Sequence, residues 1–81
     1  MCIIKNGNDE DVKFDEGMFL EVIEHYYKGK LISYNLMLEE ELIESYDEEE
    51  IAVFAMQEVS RLIEQGKKYI DMEKVNLMIE A

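Results

Sequence analysis

The sequence predicts an all-α fold, a small bundle of three to four short helices around a central helix at residues 48–65. Three observations predict it. First, one local signature recurs at four places: Phe14-Asp15-Phe19, Ile32-Ser33-Met37, Tyr46-Asp47-Ile51 and Ile70-Asp71-Val75. Each sets a capping residue between the two apolar arms of a hydrophobic staple, which is how a helix begins. Second, residues 47–66, DEEEIAVFAMQEVSRLIEQG, carry the widest apolar face of the chain. Third, proline is absent, which suits helices with short connections.

The N-terminal residues 1–13, MCIIKNGNDEDVK, carry few order signals. Cys2-Ile3-Ile4 suits a short strand and Asn6-Gly7 a turn, so a small hairpin and a loose arm are both open. Asp15 to Lys28 reads as the first helix. Asp15 is the cap, Phe19, Val22, Ile23, Tyr26 and Tyr27 form the inward face, and Gly29 between lysines ends it. Gly17 weakens its first turn by up to about 1 kcal/mol relative to alanine.

Residues 31–46, LISYNLMLEEELIESY, fit two readings. As a helix capped by Ser33, they present Leu31, Tyr34, Leu38 and Leu42 as a stripe, and the Leu-Met-Leu-Glu-Glu-Glu-Leu segment has high helix propensity. As a strand, Ile32, Tyr34, Leu36 and Leu38 alternate onto one face. The helix is preferred.

The central helix has the fullest set of signals. Asp47 caps it, Glu50 closes an acidic variant of the capping box, and the acids of the first turn favour the positive end of the dipole. At roughly 100° per residue, Ile51, Ala52, Phe54, Ala55, Met56, Val59, Leu62 and Ile63 span an arc of about 200°. Gly66 ends it, with Lys67 and Lys68 beside the negative end. The last helix starts near Met72, capped by Asp71, with Val75, Met78 and Ile79 at helical spacing. The alternative to the bundle is an α+β fold with a small sheet from residues 2–5, 31–38 and 74–79.

All 81 residues fit one domain with one modest core. No apolar run reaches the ~20 residues of a membrane span, and the start of the chain lacks a signal-peptide core. The single cysteine, Cys2, has no internal partner, which fits a reducing cytoplasm. Twenty acids against eight bases leave a net charge of −12, which argues against direct binding to nucleic acid or an anionic membrane. Residues 31–60 hold nine acids and no base.

Chemistry-bearing groups are few. His25 has Glu21 one helical turn before it, but nothing completes a metal-binding set. Cys2 has neither a base nor an oxyanion hole at hand. The stretch Asn6 to Gly17, NGNDEDVKFDEG, resembles a calcium loop, but Asp11 occupies the position of the sharp-turn glycine and Gly17 that of the bidentate glutamate. No phosphate-binding or nucleophile motif is present. The expectation is a protein with no catalytic, metal or cofactor site.

What remains is the acidic run Glu39, Glu40, Glu41, Glu44, Asp47, Glu48, Glu49 and Glu50. On a helix–turn–helix, these carboxylates project at spacings that overlap the phosphates of DNA. The expected function is a non-catalytic acidic binding protein, an inhibitor or regulator that mimics nucleic acid and docks on a basic surface, such as that of a nuclease or DNA-binding protein. In size and charge the chain resembles small acidic phage-encoded inhibitors of host nucleases and DNA-binding proteins, a resemblance that covers no motif. Met37, Met56, Met72 and Met78 fit an adaptable groove or, more ordinarily, gap-filling in a small core. The alternative function is a homodimeric helical module with the face of residues 51–63 shared between subunits and an acidic surface that merely solubilises.

Overall fold

A computed structural model describes residues 1–80 and replaces the bundle with a mostly β architecture. The order is β1 (Cys2–Lys5), β2 (Asp11–Phe14), β3 (Leu20–Tyr27), β4 (Lys30–Leu38), β5 (Glu41–Tyr46), α1 (Glu49–Glu64), β6 (Tyr69–Asp71) and α2 (Met72–Ile79). The strands form two three-stranded sheets, ordered β2-β1-β6 and β3-β4-β5. In the first, β2 runs antiparallel and β6 parallel to β1. The second is an antiparallel meander.

The expected first helix is therefore a turn, Asp15–Met18, followed by strand β3. Val22, Ile23, Tyr26 and Tyr27 are β-branched or aromatic and suit a pleated surface better than a helix. Leu20 and Val22 alternate inward while Glu21, Ile23 and His25 face out. Gly29 does not end a helix. Tyr27 pairs with Lys30, and the two residues between them, Lys28 at φ +52° and Gly29 at φ +79°, make a hairpin turn of the primed kind.

Residues 31–46 are the β4–β5 hairpin, with a two-residue turn at Glu39-Glu40. Helix propensity among ordinary residues differs by only about 0.7 kcal/mol, whereas burying a Leu or Ile side chain is worth roughly 1.5–3 kcal/mol. Leu36, Leu38 and Ile43 all reach the core as strands, and that burial decides the conformation. Of the α+β alternative, residues 2–5 and 31–38 do lie in strands, but in separate sheets, and residues 74–79 are helical.

Two of the expected helices are present. α1 begins one residue later than expected, with Glu48 rather than Asp47 at the N-cap and no side-chain cap bond. Its end follows the glycine signal: Gly66, at φ +83°, donates to the Ile63 carbonyl at 3.0 Å and Lys67 to the Leu62 carbonyl at 3.1 Å. That pair of bonds is a Schellman termination. Asp71 does cap α2, accepting from the Glu73 N–H at 3.0 Å.

Helix α1 lies across the inner face of the β3-β4-β5 sheet and beside α2. Ala52, Ala55 and Val59 are fully enclosed, and the two alanines allow close approach. The first sheet adds Cys2, Ile4, Val12 and Ile70 to the same core, which Met72 and Val75 of α2 close. The centre of the wide apolar arc of residues 51–63 is thus covered by this chain's own sheet and helix, while Ile51, Met56, Leu62 and Ile63 are half-buried. Phe54 is 45% exposed, on the outer side of α1. No helix among the described residues is long and apolar enough to cross a membrane.

Candidate functional site

The eight acidic residues sit around one strand. Glu39 and Glu40 form the β4–β5 turn, Glu41 opens β5, Glu44 lies within it, Asp47 and Glu48 follow it, and Glu49 and Glu50 start α1. They do not project from adjoining helix ends. A six-residue strand is about 20 Å long, so the group divides into one cluster at each end of β5. Each cluster borders an open cleft. One, of about 330 Å³, is lined by Val12, Lys13, Met18, Leu38 and Glu39 to Glu41. The other, of about 340 Å³, is lined by Ser45, Tyr46, Asp47, Glu48, Ile51 and Glu80.

Glu80 is a member that sequence spacing did not suggest. Thirty residues separate it from Glu50, and only the docking of α2 brings it in. Seven of the eight expected residues are exposed; Glu44 is half-buried. Among the described residues the ion pairs are Lys5–Asp9 at 3.4 Å and Arg61–Glu58, so none of the eight carboxylates is neutralised by a base.

Glu44 has a structural task. Its Oε2 accepts from Asn76 Nδ2 of α2 at 3.0 Å, and its Oε1 accepts from the Ser45 N–H at 3.0 Å. Asn76 Oδ1 accepts in turn from the Tyr46 hydroxyl at 2.5 Å. Burial, with the nearby carboxylates of Glu44 and Glu80, pushes the Tyr46 phenol far above its ordinary value. Gly7, in the β1–β2 turn, lies so close that a Cβ there would stand 2.5 Å from Glu44 Oε1. This carboxylate joins β5, α2 and that turn, and is not free to meet a partner.

The other candidate groups do not assemble into chemistry. Glu21 and His25 lie on one strand, so their α-carbons are about 13 Å apart instead of one helical turn. Asn6 is buried, and its Oδ1 accepts from the Asn8 and Glu10 N–H groups at 2.9 and 3.0 Å, which commits the oxygen to the turn rather than to a cation. Cys2 is in the core, where burial pushes its thiol upward and away from reactivity. Met72 fills the core, Met37 and Met56 are half-buried and Met78 is exposed. They lie on β4, α1 and α2 and line no common groove among the clefts described. Among the described residues no three His, Cys, Asp or Glu side chains gather as a metal site.

A polar ladder crosses the outer face of the meander, where Asn35 Oδ1 accepts from the Ser33 and Ser45 hydroxyls at 2.8 and 2.9 Å. The hairpin formed by β3 and β4 also exposes Ile23, Tyr26, Tyr27, Leu31 and Ile32. Comparison with known proteins adds no further guide: no family model, no curated protein and no solved structure matches the chain.

Proposed function

We propose that this chain is a non-catalytic acidic binding protein whose two carboxylate clusters dock on a basic protein surface of the kind that ordinarily holds nucleic acid. The observation that supports this most is the unneutralised state of the clusters: nine acids and no base in residues 31–60, with seven exposed carboxylates outside any ion pair. A surface of one sign repels itself and costs folding stability, and a cationic partner relieves that cost on binding. The two clefts give each cluster a concave, partly apolar floor. A nuclease or DNA-binding protein has the matching positive groove.

The test is binding to a panel of purified basic nucleases and DNA-binding domains at increasing salt, with duplex DNA as competitor. The expected result is a complex that weakens steeply with salt and is displaced by DNA. The combined variant Glu40→Lys, Glu41→Lys, Glu48→Lys, Glu49→Lys changes exposed residues only and should abolish the complex while the fold persists. Affinity indifferent to salt, or unchanged in that variant, overturns the proposal.

A further inference from the structure

The sheet edges of this molecule are unequal. In the first sheet the edge strands are β2, of four residues with Asp11 and Lys13, and β6, of three. Short, charged edges of this kind resist pairing with another chain. The β5 edge is covered by the β1–β2 turn, where the Gly7 N–H donates to the Ile43 carbonyl at 3.0 Å and Asn6 Nδ2 to the Leu42 carbonyl at 3.5 Å. The β3 edge is neither short nor covered, and its charges are the two acids Glu21 and Glu24. It is eight residues long, LEVIEHYY, without lysine or proline. Beyond its ladder with β4, its backbone makes no hydrogen bond among the described residues. The irregularity in that ladder falls on β4, at Ile32, so β3 itself is regular.

We infer that two copies of this chain join along their β3 strands, antiparallel and centred on Ile23, into one continuous six-stranded sheet. A two-fold axis through the sheet keeps each residue on its own face, so only registers centred on a residue are allowed. Centring on Ile23 sets Glu21 of each copy opposite His25 of the other, a carboxylate against an imidazole that can donate to it. Leu20 then meets Tyr26, Glu24 stands opposite Val22, and Phe19, just before the strand, falls beside Tyr27. A centre at Glu21 or Glu24 would put that carboxylate against its own copy, and a centre at Val22 would set both acids against apolar residues.

Charge points to the same place. The chain carries −12, but residues 19–32 hold two acids, Glu21 and Glu24, against Lys28 and Lys30, a balance of zero. Two copies that meet here therefore bring no net charge together, in a chain whose excess lies in residues 31–60. Phe19, Ile23, Tyr26 and Tyr27, all exposed in the single chain, lie along the joined edge. In the six-stranded sheet the two β5 strands are outermost, about 24 Å apart at 4.8 Å per strand, so the acidic clusters stay beyond a Debye length of about 8 Å in physiological salt.

Sedimentation of the full chain at micromolar concentration should give twice the 9.6 kDa of one copy. Ile23→Lys places two ammonium groups face to face at the axis and should weaken self-association by roughly a hundredfold or more. Glu21→Lys should weaken it too, and adding His25→Glu should restore it, with circular dichroism showing that each variant is folded. Under oxidation Ile23→Cys should cross-link to its own copy, while Leu77→Cys, equally able to react from an exposed site on α2, should not. A monomer throughout, a dimer indifferent to Ile23→Lys, or equal cross-linking at both cysteines overturns the inference.

Discussion

Tyr46 ties together three parts of the chain through a single hydroxyl, which donates to Asn76 while Asn76 donates to Glu44. The phenol is held neutral there by burial and by the carboxylates of Glu44 and Glu80. In the unfolded chain a tyrosine ionises near pH 10. The folded pKa is raised, so the native state keeps the proton longer than the unfolded state does. The stabilisation is therefore complete below pH about 10 and falls as pH rises beyond it, with a slope of up to about 1.4 kcal/mol per pH unit. Tyr46→Phe lacks the titrating group. At neutral pH it should be less stable by about 1 kcal/mol, because Asn76 Oδ1 loses its donor. Above pH 10 the gap to the parent should narrow. Urea unfolding of both proteins from neutral to alkaline pH measures this, and parallel curves would refute it.

At the level of elements, the most testable feature is the β4–β5 turn, where Glu39 stands at φ +54°. A side chain there costs roughly 1–2 kcal/mol that glycine avoids, offset in part by glycine's greater freedom in the unfolded chain. Glu39→Gly should thus raise stability by about 1 kcal/mol, and Glu39→Gln, which removes the charge but keeps Cβ, by clearly less. Equal gains would assign the effect to charge. The same turn shows why part of the fold was illegible. Both helices could be read because their signals are local: the Gly66 termination of α1 and the Asp71 cap of α2 need only neighbouring residues. The strands needed distant partners. Ile32 and Met37, five apart, suit the arms of a staple on a helix but in β4 Ile32 is unpaired at the irregularity and Met37 sits between Glu21 and Leu42, and only pairing with β3 and β5 decides between the two. Lys28 and Glu39 also lack the Asn or Asp that usually marks a primed turn. The site follows the same rule. The clusters' residues were evident from charge, but their division across β5 and the arrival of Glu80 depend on tertiary placement.

The whole molecule is a small body of radius of gyration 12.2 Å carrying a net charge of −12. Its size sets how salt acts on it. At about 10 mM salt the Debye length is roughly 30 Å, longer than the molecule's radius, and every carboxylate feels the others. At about 0.3 M it falls well inside that radius, and repulsion survives only within each cluster. The unfolded chain spreads the same charge through a larger volume, so screening favours the folded state. Over this range the melting temperature, measured at fixed protein concentration, should rise by about 5 °C or more, equivalent to about 1 kcal/mol for a chain of this length. Sodium chloride and sodium fluoride should act alike at equal ionic strength, since screening depends on ion charge and concentration. The four-residue reversal at Glu40, Glu41, Glu48 and Glu49 brings the net charge from −12 to −4 and should flatten the response. If parent and variant gain equally, the clusters store no repulsion, and the energetic reason for a cationic partner disappears with it.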